Sequence, residues 1–220
     1  MILYVAIGGL FAFLGGMVYY STLDFPELEK SELELLSVDV VEIDSIENRI
    51  FLKVIFLDGL LIGRFQPFHL GHLDAILFGL SRTENLFIGI GSSNRSNEKK
   101  NPFSAQERRE MIISSIEPSM IDRIKIFDIP DVDDHEKWTF EIDQIVPKYD
   151  IVFTNDEFTK TLFEKRQLNV VPVILKDREK FSGTNIRQLI ADDKNWQDLV
   201  PQGTRKVLDK LNAKERLKNL

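Results

Sequence analysis

The 220-residue chain is 43% hydrophobic and 29% charged, carries a net charge of −7 and contains no cysteine. Its length allows one good hydrophobic core with an appendage. The missing cysteines exclude disulfides, thiolate catalysis and cysteine-ligated zinc, and no basic field of the kind that binds nucleic acid is present. The charge is unevenly spread: residues 24–57 hold nine acids against three bases, which leaves the rest of the chain close to neutral.

Residues 2–20 carry no charge at all. Nineteen residues at about 1.5 Å each span roughly 28 Å, close to a hydrocarbon core. Tyr19 and Tyr20 stand where an interfacial aromatic belt would fall. A buried core helix would usually show some polar face, and a cleaved signal peptide is disfavoured because no Lys or Arg precedes the run. The expectation is a membrane-anchoring helix within residues 1–23.

Residues 24–57 form an acidic segment that alternates like strands: Leu33-Glu34-Leu35, Val38 to Ile43, and Ile50 to Phe56, with a turn over Asp44 to Arg49. Two or three strands alone are marginally stable, so this piece should pack on something or be a fragment of a larger β-module. From residue 58 to 220 strands and helices alternate. Leu60-Leu61-Ile62 reads as a buried strand, and Leu70, Leu73, Ile76, Leu77 and Leu80 recur at helical spacing after it. Leu86 to Ile90 is a short strand ending in the loop Gly91-Ser92-Ser93. Ser104-Ala105-Gln106-Glu107 is a capping box that opens the next helix. Ile124–Ile129, Ile151–Thr154 and Val170–Leu175 read as further strands, Phe158–Gln167 and Thr184–Ala191 as helices, and Trp196 to Leu220 as helical and amphipathic. The alternation implies an α/β fold with a parallel sheet.

The decapeptide at 63–72, Gly-Arg-Phe-Gln-Pro-Phe-His-Leu-Gly-His, joins the first of these strands to its helix. In an open α/β sheet that turn is the usual place for a phosphate. Gly63 and Gly71 allow close backbone approach, and His69 and His72, three apart, can face one phosphate group. A structural or metal-binding histidine pair is the competing reading; the strand, tight turn and helix start together favour nucleotide binding.

This decapeptide resembles the His-x-Gly-His signature of the nucleotidyltransferase superfamily, in the form carried by archaeal-type nicotinamide-nucleotide adenylyltransferases. Ser182-Gly183-Thr184-Asn185-Ile186-Arg187 matches a second motif of that family, and Asn101-Pro102-Phe103-Ser104-Ala105-Gln106-Glu107-Arg108 a stretch between the two. The resemblance covers residues 58–220 and implies a Rossmann-like parallel-sheet nucleotidyltransferase domain. It implies adenylyl transfer from ATP to nicotinamide mononucleotide (NMN), giving NAD and pyrophosphate, with Mg²⁺ bound through the ATP phosphates and no dedicated protein cage. The resemblance also implies a homo-oligomer. By the same resemblance His69, His72, Arg64 and Arg187 are the catalytic candidates. Gly63, Phe65, Gly71, Lys100, Ser182, Gly183 and Thr184 join them in holding ATP, and Asp131, His135 and Trp138 hold NMN.

Departures from the family pattern fall in the acceptor or base-recognition loops. Lys100 stands for an arginine, His135 for an asparagine, and Thr154-Asn155-Asp156 for Ser/Thr-Gly-Asn. Transfer to another phosphorylated acceptor, such as FMN or phosphopantetheine, and a non-catalytic ATP-binding module therefore stay open. The acidic β segment resembles the opening strands of membrane-anchored β-sandwich domains related to late-embryogenesis-abundant proteins. Intracellular substrates place the catalytic domain in the cytoplasm, although the acidic flank after the apolar run lacks the usual Lys/Arg excess.

Overall fold

The computed structural model describes residues 11–14, 17–20, 39–46, 49–55, 57–132, 135–173 and 180–220. The chain divides into two compact units, residues 1–56 and 57–220.

In the first unit β1 (Phe11–Leu14), β2 (Met17–Tyr20), β3 (Asp39–Ile46) and β4 (Arg49–Ile55) form an antiparallel sheet in the order β1-β2-β4-β3. Within the stretch 2–20, where a helix is expected, the described part is two paired strands, Phe11 opposite Tyr20 and Leu14 opposite Met17. Each quartet is rich in residues that suit a pleated strand. The Gly15-Gly16 pair between them is a hairpin signal that total hydropathy does not register. Among the described residues no helix is long and apolar enough to cross a membrane. The expected turn at 44–49 is shorter than predicted, because strand pairing extends to Ile46 opposite Arg49. The remainder of residues 1–23, and the strand expected at 33–35, lie outside the described residues.

The second unit is built on a five-stranded, wholly parallel sheet. Its strands are β5 (Asp58–Gly63), β6 (Asn85–Ile90), β7 (Ile124–Asp128), β8 (Ile151–Phe153) and β9 (Asn169–Val171), in the order β7-β6-β5-β8-β9. The helices are α1 (Leu70–Leu80), α2 (Ala105–Ile113), α3 (His135–Ile145), α4 (Glu157–Lys165), α5 (Gly183–Ala191), α6 (Gln202–Lys210) and α7 (Ala213–Lys218).

Strand periodicity of two sorts the core into two layers. Leu61, Leu86, Ile88, Ile90, Ile151 and Phe153 face one side, where they meet Ile76 of α1, Met111 of α2, Ile186 of α5 and Val207 of α6. Leu60, Phe87 and Val152 face the other, against Ile142 of α3 and Phe163 of α4. From β5 the chain winds outward through α1, β6, α2 and β7, then returns to β8 and winds the opposite way through α4 to β9. Right-handed crossovers put the helices of the two directions on opposite faces. The reversal between β5 and β8 is the switch point beside which ligands bind in such sheets.

Two other expectations need amending, and one helix adds to them. The last strand ends at Val171 rather than running to Leu175, of which the final two residues lie outside the description. The C-terminal helix is three pieces, a 3₁₀ turn at Gln197–Leu199, α6 and α7. Pro201 caps α6 from outside, and Asn212 turns left-handed (φ 47°) before α7. Helix α3 was not anticipated at all, although Trp138, Ile142 and Val146 follow a four-residue spacing into the core.

Candidate functional site

Strand β5 ends at Gly63 and the chain must turn sharply to enter α1. Phe65 accomplishes this in the left-handed region (φ 51°), and the Gln66–Pro67 peptide is cis. A side chain on Gly63 would bring its Cβ to 2.8 Å from the Phe65 ring, so the ring lies where only glycine leaves room.

His69 caps α1, and the two histidines close a reciprocal capping box. The His72 backbone N–H donates to His69 Nδ1 and the His69 backbone N–H to His72 Nδ1, each at 3.3 Å. A ring nitrogen that accepts an N–H carries no proton, so both imidazoles are neutral with Nε2 protonated. Burial lowers the His69 pKa to about 4. Burial and the neighbouring His69 hold His72 well below its ordinary value. Phe65 meets His72 edge-on at 4.8 Å, and Phe68 stacks over it at 5.8 Å. Gly71 is buried, its Cα hydrogen facing the His69 ring.

The opposite wall comes from the second motif. Ser182 caps α5, its Oγ accepting from the Asn185 N–H at 3.2 Å. Arg187, one turn into α5, donates through Nη1 to the Gln66 carbonyl at 2.7 Å and through Nη2 to Thr184 Oγ1 at 3.2 Å. Burial lowers its pKa, helped by repulsion from Arg64. Gly183 is required by this approach, because a Cβ there would sit 2.6 Å from the Gln66 oxygen.

Arg64, Phe65, Gln66, His69, His72, Ser182, Gly183, Thr184 and Arg187 line one cleft of about 230 Å³. No carboxylate is among them, and among the described residues neither arginine forms an ion pair. Two helix N-termini, two guanidinium groups and two Nε2–H donors therefore converge on a small space with no counter-charge. Such a set binds a multiply charged anion, and phosphate geometry suits the arginine forks.

The other expected ligands lie apart from this cleft. Lys100 is exposed in the loop that carries the Glu98–Asn101 bridge. Asp131, beyond the carboxyl end of β7, accepts from Ser92 Oγ at 2.9 Å, and its backbone exchanges two bonds with the Asn94 amide. Trp138 is half-buried on α3, 6.5 Å from the Phe163 ring. His135 begins α3, and its side chain lies outside the description. The departures in the β8 loop have local work: Asn155 pairs with the backbone of Val173, and Asp156 caps α4 by accepting from Thr159 N–H.

Two residues of consequence were missed. The Gln66 side-chain amide pairs with both backbone groups of Phe103, donating to the carbonyl at 2.8 Å and accepting from the N–H at 3.0 Å. Arg108, fully buried, donates to the carbonyls of Arg64, Gly91, Ser92 and Ser104. Arg108 had a readable signal, since it shares the apolar face of α2 with Met111 and Ile112.

Comparison with known proteins follows the same lines. A family model described as cytidylyltransferase-like matches residues 60–189. The nicotinamide-nucleotide adenylyltransferase of Thermococcus sibiricus is 37% identical over 164 residues, 74% of this chain and 88% of that protein. Those of Pyrococcus horikoshii and Thermoplasma volcanium are 36% and 34% identical, over 74% and 73% of this chain and 88% and 90% of theirs. Among solved structures, a bifunctional NMN adenylyltransferase/ADP-ribose pyrophosphatase from Francisella tularensis superposes with a TM-score of 0.62 at 21% identity. That match covers 74% of this chain and about half (52%) of the other, and it concerns the fold. The fold is that of a nucleotidyltransferase enzyme. The chain belongs to the cytidylyltransferase-like family, with the archaeal-type nicotinamide-nucleotide adenylyltransferases.

Proposed function

We infer that the chain transfers the adenylyl group of ATP to nicotinamide mononucleotide, forming NAD and releasing pyrophosphate. The observation that carries this reading is the carboxylate-free cleft in which Arg64, Arg187, His69 and His72 converge on the N-termini of α1 and α5. Relatives bearing that activity's name, at 34–37% identity over most of their length, support the same choice.

The acceptor phosphate is already ionised, so the transfer needs no general base. One of its oxygens forms a bond to the α-phosphorus of ATP as the bond from that phosphorus to the bridging oxygen breaks, and pyrophosphate leaves with the electron pair. The barrier is lowered by in-line placement and by neutralising the charge that builds on the α-phosphate and leaving group. In this reading the Nε2–H groups of His69 and His72 bond the phosphate oxygens. Arg187 and Arg64 grip the chain of phosphates, and the free amides at the starts of α1 and α5 complete the cradle. Phe65, Gly63, Gly71, Ser182, Gly183 and Thr184 shape the same cradle, and the role of Lys100, outside the cleft, rests on the resemblance alone.

Mg²⁺, when bound with the nucleotide, would supply charge neutralisation and orientation. The lining donors suit anions rather than a cation, and among the described residues no cluster of His, Asp or Glu could hold a metal. The ion accordingly enters on the nucleotide. Asp131, His135 and Trp138 form the NMN side of the reading.

Its setting completes the proposal. The substrates place the catalytic unit in the cytoplasm. Apolar residues 2–20 attach the chain to a membrane, a reading supported by their composition and opposed, as a helical span, by the strands at 11–14 and 17–20. Fractionation of the full chain with membranes supports attachment, and a wholly soluble product refutes it. A homo-oligomer is favoured by a largely apolar groove beside edge strand β7, lined by Ile113, Ile116, Ile121, Ile124 and Ile126 together with Arg109; light scattering on the purified chain decides it.

The test of the reaction is an acceptor panel. The purified full-length protein is supplied with ATP, Mg²⁺ and, in separate assays, NMN, FMN or phosphopantetheine. Pyrophosphate released with NMN supports the reading. Release with another acceptor alone replaces the substrate, and ATP binding without release from any acceptor makes the chain a nucleotide-binding module.

A further inference from the structure

Arg108 is the largest fully buried side chain of the described residues, and its charge is not offset by a bonded carboxylate. Its donors go to main-chain carbonyls: Nη1 to Arg64 at 2.8 Å and Gly91 at 2.7 Å, Nη2 to Ser92 at 3.0 Å, and Nε to Ser104 at 3.2 Å. Burying a guanidinium on neutral partners is costly. Burial lowers its pKa only to about 10, so the group stays charged at neutral pH.

The carbonyls it holds are not scattered. Arg64 immediately precedes Phe65 (φ 51°), and Gly91 immediately precedes Ser92 (φ 49°). These two left-handed residues each stand two positions beyond the ends of adjacent strands β5 and β6, and non-glycine residues keep such conformations only where surrounding structure over-determines them. One guanidinium thus sets the exit of both strands. The β5 exit carries Arg64 and Phe65 into the phosphate cleft. The β6 exit carries Ser92, whose hydroxyl donates to Asp131 at 2.9 Å.

We propose that Arg108 is a positioning residue that aligns the phosphate-donor side of the site, through Arg64 and Phe65, with the acceptor side, through Ser92 and Asp131. The inference rests on the adenylyl-transfer reading above and adds to it the device that holds the two halves in register. Each half binds its own ligand with its own side chains, so ATP affinity survives when the register loosens. In-line transfer does not, since a displacement of about 1 Å costs on the order of 10²-fold in rate.

The experiment compares full-length wild type with Arg108→Lys, which keeps the charge and loses the fork. Turnover, ATP affinity by titration calorimetry without acceptor, and the thermal transition are measured on each. The expected result is a folded variant whose kcat falls about 10²-fold while its ATP Kd stays within about threefold of wild type. A kcat near wild type overturns the proposal, and so does an ATP affinity that falls in step with kcat. Should Arg108→Lys lack a cooperative transition, Ser92→Ala carries the test by severing only the Asp131 arm. A kcat loss of about tenfold or more with ATP affinity unchanged then supports the proposal, and wild-type kcat overturns it. A wild type that releases no pyrophosphate with any phosphorylated acceptor overturns the adenylyl-transfer reading and the proposal together. An active wild type with an unaffected variant overturns the proposal alone.

Discussion

The imidazoles of His69 and His72 lie stacked with centroids 3.5 Å apart, each accepting the other's backbone N–H at Nδ1. This mutual cap fixes two things at once. It starts helix α1, and it turns both Nε2–H groups into donors with their tautomer set by the backbone rather than by a neighbouring acid. A pair of imidazolium ions so close would repel; a pair of neutral donors does not.

Replacing His72 with alanine should depress turnover by about 10²- to 10⁴-fold, the scale of losing a preorganised group that meets developing charge. Acceptor affinity should change far less. Steady-state kinetics with both substrates varied checks this, and an equal loss in turnover and acceptor binding would make His72 a support for the turn alone.

His69 gives the free protein an acid sensitivity. The unfolded chain takes up a proton there near its ordinary pH of 6.5, while the folded chain resists until about pH 4. The unfolded state therefore binds more protons between those limits. Stability attributable to the neutral ring is fully present above pH 6.5 and declines as pH falls toward 4, by up to about 3 kcal/mol. In His69→Asn, which retains a capping oxygen and does not titrate, urea midpoints should fall less steeply across that window. An identical slope in the variant would contradict the assignment.

Gly183→Ala would place a methyl group 2.6 Å from the Gln66 carbonyl oxygen, where backbone has to yield. The expected cost is about 1–3 kcal/mol in thermal or urea unfolding. Because the same carbonyl accepts from Arg187, ATP affinity should fall with it. A variant with unchanged stability and affinity would mean the two motifs are less tightly apposed than the 2.7 Å bond indicates.

Arg187→Lys keeps a charge in the cleft but cannot serve Gln66, Thr184 and a phosphate with one planar fork. Loss of a charged hydrogen bond is worth about 1.5–3 kcal/mol, so kcat/KM for ATP should drop by roughly 10- to 100-fold. The kinetic constants with ATP varied at saturating acceptor measure it.

The site residues legible from spacing are those whose partners are near in the chain. His69 with His72 is read from spacing at a helix start, whereas Ser182 and Arg187 come only from the resemblance to the second motif, and the Arg187 bond to Gln66 spans 121 positions. The Ser104–Glu107 capping box is also read from spacing, and the structure contains it as expected. Gln66 escaped because its partner Phe103 lies 37 residues away, and Arg108 because its reach to Arg64 spans 44. The apolar run at 2–20 is a different case, since its described part is two strands. Hydropathy reports transfer from water without regard to backbone geometry, and the Gly-Gly break between two β-prone quartets was the overriding signal. Helix α3 was hidden by its charged start, although its buried positions keep helical spacing.

The most direct test of the central claim follows the phosphorus. Full-length protein is supplied with NMN, Mg²⁺ and ATP labelled either at the α- or at the γ-phosphate, and products are separated. The account predicts α-label in NAD and γ-label in pyrophosphate, in equal amounts. Gamma-label appearing in inorganic phosphate, or α-label remaining in ADP with no NAD formed, would contradict it.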